Sequence, residues 1–78
     1  MKIHHYTHDI PEGINWGSSI AIDTEAMGLN PHRDRLCVVQ ISSGDGEAHL
    51  VTFPPGSTYE APNLKALLRD PKIEKIFH

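Results

Sequence analysis

Apolar positions along the chain recur in short alternating runs separated by Gly, Pro, Asn and Asp, a rhythm that predicts strands with a single helix among them. Lys2 to Thr7 reads as a short edge strand, with Asp9-Ile10-Pro11-Glu12-Gly13 as a turn after it. Ser19 to Glu25 is a strand, and Gly28-Leu29-Asn30-Pro31-His32 is a loop. Arg35 to Ser42 forms the next strand, whose near-continuous apolar run suits burial on both faces. Ser43-Gly44-Asp45-Gly46 is a hairpin turn, which sets Glu47 to Phe53 antiparallel to its predecessor, and Pro54-Pro55-Gly56-Ser57 ends that strand. From Pro62 or Asn63 to Arg69 the leucines at 64, 67 and 68 share one helical face, and Pro71 marks the stop. A last strand covers Lys72 to Phe77.

One of these strands carries candidate chemistry. Ile20, Ala21 and Ile22 are apolar up to Asp23, and Glu25 follows two residues later. Side chains alternate along a strand, so Asp23 and Glu25 project from one face and Thr24 from the other. Such pairs occur on solvated strand faces as well. Here the acids stand where an apolar strand emerges, a usual position for a site in an open sheet. Two neighbouring carboxylates repel unless a divalent cation sits between them, and Mg²⁺ takes one or two carboxylates with substrate phosphates and water.

Composition narrows the setting. Seventy-eight residues, 38% of them hydrophobic, make one small domain at most. The single cysteine, Cys37, excludes an internal disulfide, and its apolar neighbours predict a buried, chemically quiet thiol. Met1-Lys2-Ile3-His4-His5 lacks the apolar stretch of a signal peptide and no run reaches membrane-spanning length, so the expected compartment is the cytoplasm, with no membrane contact. A net charge of −3 gives no general attraction for nucleic acid. Bound metals supply local positive charge where only a strand end is gripped. Arg33 and Arg35 are candidate phosphate contacts, while Lys65, Arg69, Lys72 and Lys75 read as surface charges. His4, His5 and His8 lack the companion acid and helical spacing of a zinc site and read as exposed polar residues; His32 and His49 look isolated. Carboxylates two residues apart are too close to flank a glycosidic bond.

The run Ala21-Ile22-Asp23-Thr24-Glu25 with Gly28-Leu29 resembles the first motif of the DEDD superfamily of 3′-5′ exonucleases. Arg35-Leu36-Cys37-Val38-Val39-Gln40-Ile41, then Pro62-Asn63-Leu64 with Leu67-Leu68, then Lys75-Ile76-Phe77-His78 extend the likeness, in order, to the ribonuclease D-like members. The resemblance implies an α/β fold of ribonuclease H-like type, present incompletely: an antiparallel three-strand meander, a helix and a further strand parallel to the acidic one. It makes residues 1–78 the N-terminal portion of a single exonuclease domain. The family's remaining acids and its third-motif tyrosine or histidine have no counterpart, since Tyr6 and Tyr59 fall out of order, and His78 is assigned no catalytic role.

By the same resemblance Asp23 and Glu25 are catalytic and metal-ligating. Two divalent cations, Mg²⁺ or Mn²⁺, about 4 Å apart would clamp the scissile phosphate. Ala26 and Met27 lie where the 3′-terminal nucleotide is held, and Leu29 matches a wedge between terminal bases. The implied substrate is the 3′ end of single-stranded RNA, released as nucleoside 5′-monophosphates. Alternatives are a proofreading-type DNA exonuclease and a non-catalytic nucleic-acid-binding or assembly module. The apolar surface of a sheet ending at Ile73, Ile76 and Phe77 predicts self-association or instability, and the missing family acids predict weak metal binding and no processive hydrolysis by the chain alone.

Overall fold

Ile20 and Ile22 point the same way from the acidic strand, and burying them sets the layers of the molecule. The structure, a computed structural model, describes residues 2–27 and 36–77. The elements are β1 (Lys2–Thr7), β2 (Ser19–Met27), β3 (Leu36–Ser42), β4 (Glu47–Phe53), α1 (Pro62–Arg69) and β5 (Glu74–Phe77). They form a sheet in the order β1-β4-β3-β2-β5. The pairs β2–β3 and β3–β4 are antiparallel, whereas β1–β4 and β2–β5 are parallel. The predicted meander, helix and parallel last strand are therefore all present. The edge strand at the N-terminus is present too, parallel to β4, an orientation the sequence left open.

Parallel neighbours need a crossover, and α1 provides it by carrying the chain from β4 past β3 and β2 to β5. One face of the sheet is thereby covered. Ile20, Ile22, Ile41, Val51 and Phe53 join Leu64, Leu67, Ala61, Ile10 and Trp16 in a single core. The helix uses a narrower stripe than its leucines suggest. Leu64 and Leu67 are buried, but Leu68 is 40% exposed, because a residue one past Leu67 turns about 100° away from the sheet.

Burial of β3 on both faces is likewise not observed. Ile41 is fully buried, Cys37, Val38 and Val39 are half-buried and Gln40 is exposed, since α1 covers only the face shared by Cys37, Val39 and Ile41. Cys37 is thus not the sealed thiol expected; its Sγ lies 3.7 Å from the Tyr59 hydroxyl. On the uncovered face Ile3 and Ile76 remain 52% and 47% exposed, as an apolar surface without its covering layer requires.

Local chemistry explains the element ends. In the β3–β4 hairpin Asp45 Oδ1 accepts the Glu47 N–H at 3.0 Å, while Gly44 and Gly46 take φ of 80° and 84° that a side chain would oppose. Two residues of the predicted β5 are given to a turn, in which Asp70 Oδ1 accepts the Lys72 N–H at 2.9 Å. The start of α1 lacks a capping side chain of its own, because Ala61 stands at the cap position. Asp9 supplies the missing acceptor: its carboxylate receives the N–H groups of Asn63 at 3.0 Å and Leu64 at 2.9 Å, as well as that of Ile10 at 2.8 Å. Asn63 Nδ2 returns a bond to the Ile10 carbonyl at 2.9 Å. The turn after β1 and the start of α1 are latched together.

Candidate metal centre

Strand periodicity delivers Asp23 and Glu25 to the uncovered face. The alternation that buries Ile20 and Ile22 leaves residues 23 and 25 on the opposite side, and both are exposed. Their Cα atoms are roughly 6.6 Å apart at the rise of a strand, close enough for two flexible carboxylates to converge on a cation with bonds of about 2.1 Å. Across β3, Asp23 faces Gln40 and Glu25 faces Val38. Neither of these partners carries positive charge, and among the described residues no ion pair neutralises the two acids. Hard oxygen donors without a protein cation fit Mg²⁺ or Mn²⁺ in kind. The described residues bring no third His, Cys, Asp or Glu to them.

The ladder between β2 and β5 ends at Ile22 opposite Phe77. From Asp23 to Met27, β2 runs on with β3 as its sole partner among the described residues. The acids therefore lie on the stretch of β2 that follows its described pairing with β5. Ala26 and Met27 lie on that stretch, their backbone paired with Cys37 and Leu36. Leu29, the Gly28–His32 loop, Arg33, Arg35 and His78 lie outside the described residues.

A second polar cluster was not legible in the sequence. His49 is buried, stacked on His4 with ring centroids 4.7 Å apart and edge-on to Trp16 at 4.7 Å. The Tyr6 hydroxyl and His49 Nδ1 share a hydrogen bond of 2.9 Å, and His4 Nε2 meets Glu47 Oε1 at 2.6 Å. These residues share the core face of β1 and β4, which pair in register as His4 with His49 and Tyr6 with Val51. His49 is therefore not the isolated residue expected, and His4 is half-buried rather than an exposed polar residue. The one available signal was His4-x-Tyr6 opposite a histidine in an alternating strand, which becomes readable only once β1 and β4 are known to be neighbours.

Burial, reinforced by the nearby His4, pushes the His49 imidazole below its ordinary value of 6.5. A base with a depressed folded value takes up protons more readily when unfolded. Its contribution to stability is present above about pH 6.5 and is lost as pH falls below that. The melting temperature should therefore drop between pH 7.5 and pH 5, and the drop should shrink in His49→Phe. Identical melting profiles for the two proteins over that range would contradict this origin.

The described residues thus form an α/β sheet whose strand β2 carries two exposed acids without an ion-pair partner among the described residues. The chain belongs to the 3′-5′ exonuclease family, which it matches over residues 6–78. It is 53% identical to Brucella melitensis NrnC, with a TM-score of 0.81, all of this chain aligning with 38% of that one. NrnC with bound Mg²⁺ aligns at 53% identity and TM-score 0.81, over all of this chain and 39% of that one. NrnC bound to pGG aligns at 53% identity and TM-score 0.80, over all of this chain and 38% of that one. No curated protein sequence matches this chain. The five strands and helix are thus a ribonuclease H-like portion that spans about 38% of the NrnC chain. Among the described residues no helix is long and apolar enough to cross a membrane.

Proposed function

We propose that the polypeptide containing this chain is a metal-dependent 3′-5′ exoribonuclease that removes nucleotides from single-stranded RNA 3′ ends as nucleoside 5′-monophosphates. The observation that carries the reading is the exposed Asp23 and Glu25 on one face of β2, without an ion-pair partner among the described residues. Family membership and the Mg²⁺-bound and pGG-bound NrnC structures support it. Asp23 and Glu25 would hold the divalent cations, with two ions in the proposed arrangement. Bound there, the cations supply charge that activates water and neutralises the departing 3′-oxygen.

The remaining roles fall to the chain itself. Asp23, nearer the β5 end, would hold the cations against the scissile phosphate, and Glu25 would orient the attacking water. Ala26 and Met27, which continue β2 past the acids, would form the seat for the 3′-terminal nucleotide, and Leu29 is assigned to the terminal base. The exposed Ile3, Ile76 and Phe77 support self-association of the chain when it stands alone. The test is a time course of the complete polypeptide on 5′-labelled single-stranded RNA and matched DNA. A ladder shortening from the RNA 3′ end with Mg²⁺ or Mn²⁺, and none with EDTA, is expected. Cleavage that persists without metal, or internal cuts, would overturn the reading; faster loss of DNA would replace RNA as the substrate.

A further inference from the structure

Among the described residues His49 is the one buried polar side chain, and the proposed metal centre does not use it. It lies between two strands of unequal hold. β4 is paired on both sides, by β1 and β3, whereas β1 stands at the edge of the described sheet with β4 as its sole strand partner. On the outer face of β1, Ile3 and His5 are exposed, so its side chains reach the core through His4 and Tyr6. Both meet the same ring. His4 stacks on His49 with centroids 4.7 Å apart, and the Tyr6 hydroxyl lies 2.9 Å from His49 Nδ1.

This arrangement suits a neutral His49. Burial, then the charge of Glu47, raises the Tyr6 hydroxyl above its ordinary value of 10, so the phenol keeps its proton and donates to Nδ1. Accepting there requires an unprotonated Nδ1. A proton on that atom reverses the bond and sets a cationic ring against His4, which forms an ion pair with Glu47 Oε1 when it is itself charged. The groups facing His49 are His4 and Tyr6 from β1, Glu47 from its own strand, Asp45 from the hairpin turn, and the uncharged Trp16 and Ile41. Glu47 and Asp45 favour the charged ring, but burial and His4 oppose it and prevail. Because β4 is held on both sides, β1 is the strand that can yield. Its departure parts the two imidazoles and lets water reach His49.

We propose that β1 is an acid-released edge strand, its ladder with β4 opening as His49 takes up a proton while β2, β3 and β4 stay paired. Opening bares the edge of β4, at a lower free energy than global unfolding requires. Once hydrated, the ring regains its ordinary value of 6.5, so the closed form loses ground as pH falls below about 6.5.

The experiment is hydrogen exchange of the complete polypeptide at pH 7.5 and pH 5.5, corrected for the intrinsic pH dependence of amide exchange and read over β1 and β3. It compares the parent with His49→Gln and His49→Phe. Gln keeps an acceptor for the Tyr6 hydroxyl without titrating, and Phe keeps a ring. In the parent, β1 is expected to open about three- to tenfold more often at pH 5.5, about tenfold being the limit for one proton taken up at 6.5. Exchange in β3 should stay at least about tenfold slower than in β1 at both pH values. In both variants the pH dependence of β1 should vanish. An unchanged β1 rate in the parent, equal rates for β1 and β3 at pH 5.5, or the parent's pH dependence persisting in either variant would each overturn the proposal.

Discussion

Replacing Asp23 or Glu25 by alanine is expected to slow RNA trimming by the complete polypeptide about a thousandfold, a loss on the order of 4 kcal/mol of transition-state stabilisation. Each acid stands exposed on the open face, and among the described residues no cation offsets either charge. On the proposed reading, removing one would leave the other unable to hold the metal array on which both the attacking water and the leaving oxygen would depend. RNA affinity should change far less, because in the proposed arrangement the metals would meet only the reacting phosphate. Single-turnover rates on 5′-labelled RNA, with binding measured in parallel by fluorescence anisotropy, separate the two quantities. A rate loss below tenfold in Asp23→Ala would remove that residue from the catalytic centre. Cys37→Ser, whose thiol lies on the opposite, helix-covered face, should leave the chemistry intact.

Local patterns predicted most of the fold because most of its determinants are local. The two-residue period of β2 placed Ile20 and Ile22 against Asp23 and Glu25 before any partner strand was known, and the Ser43–Gly46 turn announced the pairing of β3 with β4. What remained hidden depended on distant partners. β1 pairs with β4 across more than forty residues, so the stack of His4 on His49 could not be foreseen from either histidine. The apolar run in β3 was ambiguous for a related reason. Hydrophobicity shows that a side chain can be buried, but only the position of α1 decides which face is covered, and that leaves Val38 half-exposed on the same face as Gln40. The acidic pair was legible in the sequence as a motif, whereas the residues facing it, Gln40 and Val38, are identified only through the β2–β3 register.

The largest effect on stability should come from Asp9→Ala, a change remote from the metal centre. A helix start leaves backbone N–H groups without intrahelical acceptors, and a capping side chain on the residue before the helix usually receives some of them. Ala61 cannot, and Pro62 removes one donor without supplying an acceptor. Asp9 accepts from Asn63 and Leu64 through its two oxygens and from Ile10 as well, and its negative charge lies at the positive end of the helix dipole. Alanine would leave these donors unmet in a partly buried turn. The expected cost is about 2–3 kcal/mol, large against the few kcal/mol by which so small a domain is stable. In thermal melts followed by circular dichroism this corresponds to a fall of roughly 10–20 °C. Asp9→Asn should fall between, because its amide keeps one acceptor and turns a donor toward the other N–H, whereas Glu12→Ala, in the exposed part of the same turn, should change little. Because α1 carries the chain to β5, loss of the latch should also speed hydrogen exchange in Glu74–Phe77, the strand whose pairing with β2 ends beside Asp23. Unchanged melting together with unchanged exchange in β5 would show that α1 is held by its buried leucines alone.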